Sequence, residues 1–273
     1  MLKNVAFGQY YKTESFLHRM DSRAKILLLI GYITAVFVVK NFYGFLACAF
    51  FLATAVVFSR VPVFKVLKSI KGILFLVIFT SLLNVLFYAG EPNKIFFEWG
   101  IIKITDSSLI FAAFMSIRLI MLVMGSSLLT LTTTPVALTD GIESLLYPLK
   151  LVKFPVHELA LIMSIALRFI PTLANETDRI ISAQKARGAD FESGGAFKRV
   201  KAFIPVLIPL LISSFRRAEE LGDAMDARCY RGSKGRTRYK KLKLGWRDLV
   251  AAIFYALCLA AVIYLNITFV AVI

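Results

Sequence analysis

The chain has 273 residues, 58% of them hydrophobic, a mean hydropathy of +0.73 and a formal net charge of +16. So apolar a composition excludes an ordinary soluble domain and places the chain among integral membrane proteins. The basic excess points away from nucleic acid, because the lysines and arginines fill the gaps between apolar runs, as in cytoplasmic loops, and form no stripe interleaved with aromatics.

Residues 1–25 carry Lys3, Lys12, Arg19, Arg23 and Lys25 against Glu14 and Asp21, and read as a cytoplasmic lead-in. They lack a short apolar core with a small-residue cleavage site, so no cleavable signal peptide is expected. Residues 26–59 are uncharged except for Lys40, with Gly44 near the middle. The run is slightly short for two spans of ~20 residues, so it predicts a tight hairpin. Span 1 then starts near Asp21 and span 2 runs on towards Phe64; one long helix is the alternative. Residues 60–71 hold Arg60, Lys65, Lys68 and Lys71 with no acid, a cytoplasmic loop by charge. Gly72 to Gly90 makes span 3. Residues 91–106, with their acidic balance and the Gly-Glu-Pro-Asn turn at 90–93, read as an outside loop.

Ser107 to Thr139 contains one charge, Arg118, and its first ~25 residues suffice for span 4. Thr132-Thr-Thr-Pro135 predicts a break and a new helix start, since proline suits the first helical turn. Residues 132–245 hold 19 Lys+Arg against 11 Asp+Glu, a cytoplasmic balance. Three helices are expected there, at about Pro135–Leu149, Pro155–Arg187 and Ala196–Arg228. Ser193-Gly-Gly195 serves as linker. The apolar runs Leu159–Leu167 and Phe203–Phe215 are shorter than a span and read as faces of long amphipathic helices. Leu249 to Ile273 is the last span, its entry guarded by Lys240, Lys241, Lys243 and Arg247. The expected fold is all-α and integral to the membrane, with about five transmembrane helices and three long cytoplasmic coupling helices inserted before the last span. Residues 1–131 form the lead and spans 1–4, 132–245 the cytoplasmic helices and 246–273 the final span. The N-terminus is expected inside the cell and the C-terminus outside.

Two polar helix ends stand out: Ser182-Ala-Gln-Lys-Ala-Arg-Gly188 and Asp223-Ala-Met-Asp-Ala-Arg-Cys229. Each follows an Ile-Pro-x-Leu start (Ile170 to Leu173, Ile208 to Leu211) and closes on Ala-Arg-small, as Ala186-Arg187-Gly188 and Ala227-Arg228-Cys229. A helix C-terminus favours any arginine by a few tenths of a kcal/mol. Two in matched settings suggest more. Small neighbours leave the guanidinium unshielded, and its planar five-donor fork suits carboxylates or carbonyls in a partner's groove. Arg118, ~18 Å past Asp106, is expected near the midplane. Its partner would be Asn84 of span 3, a carbonyl or another subunit, in a structural pin or a functional charge site. Glu219, Glu220, Asp223 and Asp226 with Arg216 and Arg217 read as a solvated helix face. Cys48, Cys229 and Cys258, with His18 and His157, are too scattered for a metal site or a disulfide framework. No nucleophile–base pair and no phosphate-binding glycine loop is present, so neither catalysis nor a cofactor is expected.

Thr132-Thr-Thr-Pro135, Leu138-Thr-Asp-Gly-Ile142, Ala183-Gln-Lys-Ala-Arg-Gly-Ala189 and Ala224-Met-Asp-Ala-Arg-Cys-Tyr230 resemble the signatures of the T component of energy-coupling factor (ECF) importers. The resemblance covers nearly the whole chain. Cys229 stands where glycine or another very small residue is common in that family. The resemblance implies a membrane scaffold that joins two ABC-type ATPase subunits to a separate substrate-binding membrane subunit for a vitamin or transition-metal ion. Arg187 and Arg228 would each dock one ATPase. A self-contained importer permease and a non-transport membrane scaffold are the alternatives. The permease calls for polar residues along the spans, which carry one charge and few amides.

Overall fold

The computed structural model describes residues 10–87, 95–99, 102–152, 154–191, 195–232 and 243–269. Among them are eight α-helices: α1 (Ser22–Val38), α2 (Phe42–Ser59), α3 (Val63–Phe87), α4 (Asp106–Thr132), α5 (Pro135–Leu146), α6 (Val156–Ala186), α7 (Ala196–Ala227) and α8 (Trp246–Thr268). A short antiparallel hairpin, β1 (Ile95–Trp99) and β2 (Ile102–Thr105), stands where the outside loop is expected. The 90–93 turn, Ser193 and Gly194 of the linker, Lys240 and Lys241 lie outside the described residues. The chain divides into two compact units. One comprises residues 10–142 with 243–269, and the other residues 143–232.

Five described helices are long and apolar enough to cross a membrane: α2, α3, α4, α6 and α8. The number is the expected one, but the membership differs. α1 is 17 residues long and falls just short by this measure. α6 enters through its apolar first half, although its second half carries Glu176, Asp178, Arg179 and Lys185. Span 3 also changes. α3 begins at Val63, nine residues before Gly72, because Lys65, Lys68 and Lys71 continue the helix and do not form a loop. Only residues 60–62 separate α2 from α3, and α2 ends at Ser59, not near Phe64. Arg60 takes the left-handed conformation that closes it.

Local chemistry sets the helix ends. The Asp21 carboxylate caps α1 by accepting from the Arg23 N–H at 2.9 Å, and Asn41 Oδ1 caps α2 by accepting from the Gly44 N–H at 2.8 Å. Thr105 and Ser108 form a reciprocal capping box at the start of α4. α4 stops at the threonine break, and Thr134 Oγ1 accepts from the Ala137 N–H to start α5.

α1 and α4 run antiparallel, and their register is fixed at three levels. At one end the buried Lys25 ammonium donates to the Thr132 carbonyl at 3.0 Å and to Thr133 Oγ1 at 3.3 Å. At the other end Arg118 donates to the Val39 carbonyl at 2.9 Å. Both pairs of levels are 14 residues apart, about 21 Å along either helix. Midway, Tyr32 of α1 lies against Gly125 of α4, where a Cβ would stand 2.6 Å from the ring. Tyr32, Val36, Cys48, Phe114 and Val262 are at the centre of the core. α8 joins at the Lys25 end, where Asp248 Oδ1 accepts from the Asp21 N–H at 3.0 Å and Oδ2 from the Gly245 N–H at 2.7 Å.

The lead-in is strapped to α4 by the Tyr11 N–H, which donates to the Leu131 carbonyl at 2.9 Å. His18 Nε2 lies 2.9 Å from the Tyr11 carbonyl and therefore carries the proton. Its Nδ1 accepts from Ser15 Oγ at 2.7 Å. Burial, and secondarily the Lys25 charge, lower the His18 pKa.

Two outcomes are expected. Gly125→Ala should cost about 1–3 kcal/mol, because the Tyr32 ring is packed and must be displaced; thermal unfolding of the purified protein measures it. A lowered histidine pKa favours the neutral folded form. Its contribution should be whole above about pH 6.5 and decline as pH falls below it. A His18→Gln variant should flatten that part of the stability profile.

Candidate docking site: two arginine-tipped helices

In the unit of residues 143–232, α6 and α7 are 31 and 32 residues long. Their bounds match the expected Pro155–Arg187 and Ala196–Arg228, and the two Ile-Pro-x-Leu segments fall inside them: Pro171 is interior to α6, and Pro205 and Pro209 are interior to α7. Each proline lacks an N–H and so removes one backbone hydrogen bond from its helix. α6 and α7 are joined by a polar pin. Glu176 accepts from Ser213 Oγ at 2.6 Å through one oxygen and pairs with Arg217 through the other, while Arg217 Nε donates to Ser213 Oγ at 3.4 Å. Phe191 and Phe203 add a ring contact at 5.2 Å.

From the pin, Glu176 to Arg187 and Arg217 to Arg228 are each 11 residues. Both arginines therefore sit about 16 Å beyond it on its C-terminal side. The two ends also share one turn. Arg187 is the C-cap of α6. The Gly188 N–H donates to Lys185 O at 3.0 Å, and the Ala189 N–H donates to Gln184 O at 2.9 Å. Arg228 is the C-cap of α7. The Cys229 N–H donates to Asp226 O at 2.9 Å, and the Tyr230 N–H donates to Met225 O at 3.0 Å. Each is a Schellman motif, with the residue after the arginine left-handed: Gly188 at φ +88° and Cys229 at φ +54°. Ala186, Arg187, Gly188, Ala227, Arg228 and Cys229 are all exposed. Among the described residues neither guanidinium has a hydrogen-bond or ion-pair partner, so each fork is available to an acceptor.

Apolar surface accompanies the tips. Val200, Ile204, Leu207, Ile208, Leu211 and Phe215 line one face of α7 at helical spacing, each 46–67% exposed. Leu159, Ile162, Met163 and Ile170 are exposed on α6. A stripe of this extent marks a surface that another apolar surface covers.

Arg118 and Asn84 belong to the other unit. Of the partners left open by the sequence, the structure supplies a carbonyl. Arg118 donates to Val39 O, stacks near Phe114 at 5.1 Å and reaches Met115 Sδ at 3.7 Å; no hydrogen bond links it to Asn84. It is level with the α1–α2 turn, where α8 also ends. There Asn266 Nδ2 donates to the Val38 carbonyl at 2.8 Å and Asn266 Oδ1 accepts from the Lys40 N–H at 3.2 Å. The guanidinium thus satisfies a carbonyl freed where α1 ends. Lys25 and Asp248, two charges that tie three helices together, were legible in the sequence only as flanking charges at the ends of apolar runs.

A family profile described as cobalt transport protein (CbiQ) matches residues 13–239. The chain belongs to that family. It is 49% identical over 253 residues to the energy-coupling factor transporter transmembrane protein EcfT of Clostridium kluyveri, covering 93% of each chain. It is 50% identical over 250 residues to EcfT of Ruminiclostridium cellulolyticum, covering 92% of each. To EcfT of Bacillus subtilis it is 44% identical over 264 residues, covering 97% of this chain and 98% of that one. These relatives are transmembrane transport components and not enzymes. The span matched to the CbiQ family contains both arginine tips and the pin.

In this member of the CbiQ family, a left-handed cysteine stands at the second tip where the first has glycine. A side chain costs roughly 1–2 kcal/mol in that conformation and glycine avoids it. Cys229→Gly should therefore stabilise the end of α7 by about 1 kcal/mol, read as slower hydrogen exchange of the Cys229 and Tyr230 amides. Cys229→Val should have the opposite effect.

Proposed function

We propose that this chain is the transmembrane coupling subunit, the T component, of an energy-coupling factor importer. The observation that carries the proposal is the pair of exposed arginines on the same turn, each 11 residues from a shared pin. An importer driven by two ATPases needs two equivalent contacts on one coupling subunit, and the tips provide them. Arg187 docks one ABC-type ATPase and Arg228 the other, each guanidinium entering a groove lined by carboxylates or carbonyls. Ala186, Gly188, Ala227 and Cys229 leave the forks unshielded. The relatives' names, as energy-coupling factor transporter proteins, agree with this reading.

The exposed apolar faces of α6 and α7 hold a separate substrate-binding membrane subunit, which carries the specificity for a vitamin or transition-metal ion. When ATP draws the two ATPases together, the docked tips move and α6 and α7 pivot at Glu176–Arg217. Their apolar faces then re-orient the bound subunit in the bilayer. Residues 1–131 and 246–273 anchor the assembly in the membrane, and residues 132–245 couple it. The basic loops put the N-terminus in the cytoplasm and the C-terminus outside.

Single Arg187→Glu or Arg228→Glu substitutions should each weaken ATPase co-purification. The double variant should lose both assembly and uptake while the protein still inserts into the membrane. A double variant that assembles and transports as wild type removes the basis of the proposal.

A further inference from the structure

Between α1, α2, α4 and α8 lies a cavity of about 480 Å³, within the size range of ligand sites, about 300–1,000 Å³. Its wall is apolar almost throughout, and its two ends differ. At one end are Lys25, Thr132, Phe16 and Trp246; at the other, Tyr32, Phe51 and Phe254 line it with stacked rings. Lys25 and Tyr32 are seven residues apart on α1, so the slot is about 10 Å deep along the helices.

We propose that this cavity holds an acyl chain of an anionic phospholipid, with the headgroup at the Lys25 end. The inference rests on the membrane reading of this unit and not on the coupling role.

Size and charge together select the occupant. An α-helix is about 10–12 Å across and would need roughly 800 Å³ over that depth, so a partner helix does not fit. Water has few polar partners on such a wall, and apolar cavities stay dry. A hydrocarbon chain fits both the slot and its lining, and the bilayer supplies it. The headgroup follows from the rim. Lys25 lines the cavity itself, and residues 10–25 and 243–248, which carry Phe16, Lys25 and Trp246 of the lining, hold six cations (Lys12, Arg19, Arg23, Lys25, Lys243 and Arg247) against three carboxylates, two of which are paired as Arg19–Glu14 and Arg23–Asp21. Clustered cations of this kind attract anionic headgroups. Lys25 has three N–H donors and spends two on Thr132 and Thr133, leaving one at the polar end of the slot. Phe16 packs edge-on against the exposed Trp246 at 5.8 Å, and the Arg247 guanidinium lies 5.8 Å from the Trp246 ring centre. Aromatic rings beside cations are what the headgroup level of a bilayer favours.

The test is native mass spectrometry of the full chain in detergent. It is titrated with phosphatidylglycerol and with phosphatidylcholine carrying the same chains. Wild type should hold one phosphatidylglycerol about tenfold more tightly than phosphatidylcholine. Ala251→Phe fills the slot from α8 and should lose that lipid by about tenfold or more, with thermal stability kept or raised. Ala55→Leu fills it more gently from α2 and should show the same loss if the phenylalanine variant does not fold. Equal binding of the two headgroups by wild type, or unchanged lipid affinity in the filled variants, overturns the assignment.

Discussion

A helix that ends inside the protein leaves buried carbonyl groups, and the unit of residues 10–142 with 243–269 is organised around two cations that answer this. Lys25 covers the end of α4 and Arg118 covers the end of α1. Each cation comes from the neighbouring antiparallel helix, so satisfying the carbonyls also sets the register. A slip of one residue would leave both buried carbonyls unpaired, at about 1–3 kcal/mol each. Gly125 works at the midpoint of the same register, since only a missing Cβ lets the Tyr32 ring lie flat against α4. Helix propensity and apolar burial would tolerate many registers here; the three contacts together select one.

The unit of residues 143–232 is built on a different economy. Its helices are long, each carries interior proline, and the polar pin ties one to the other. Most of their apolar surface is left uncovered. Such a pair is rigid along each helix axis and weakly restrained across them. That combination suits levers: displacement applied at one end is transmitted along a helix, while the angle between helices stays adjustable. The pin limits this freedom without abolishing it, because a hydrogen-bonded carboxylate–guanidinium pair tolerates rotation better than interlocked side chains do.

The sequence made the apolar runs, the threonine break and both arginine tips legible, because each depends on local composition or on residues within one turn. Helix boundaries failed where charge and helicity part company. The lysines of residues 65–71 suggested a loop, yet lysine is a good helix former and α3 runs through them. Arg118 has a partner that no local window shows. It lies twelve residues into α4, level with the turn where α1 ends, α2 begins and α8 ends. Its guanidinium caps the α1–α2 turn, which is the carbonyl among the partners that the sequence left open. The Lys25–Thr132 contact and the cavity beside it depend on packing between segments more than 100 residues apart. No window along the chain contains them.

The two tips also show how little side-chain chemistry a shared geometry requires. Gly188 and Cys229 differ in their freedom to adopt the left-handed conformation, yet the hydrogen bonds around them match in pattern and nearly in length. The turn is imposed by the helix, whose last carbonyls need donors, and the residue after the arginine bears whatever strain results. Cysteine bears it with a short, unbranched side chain that points into solvent; a β-branched residue would not. What the two positions share is a small residue beside an exposed arginine, and nothing within the described residues crowds either tip.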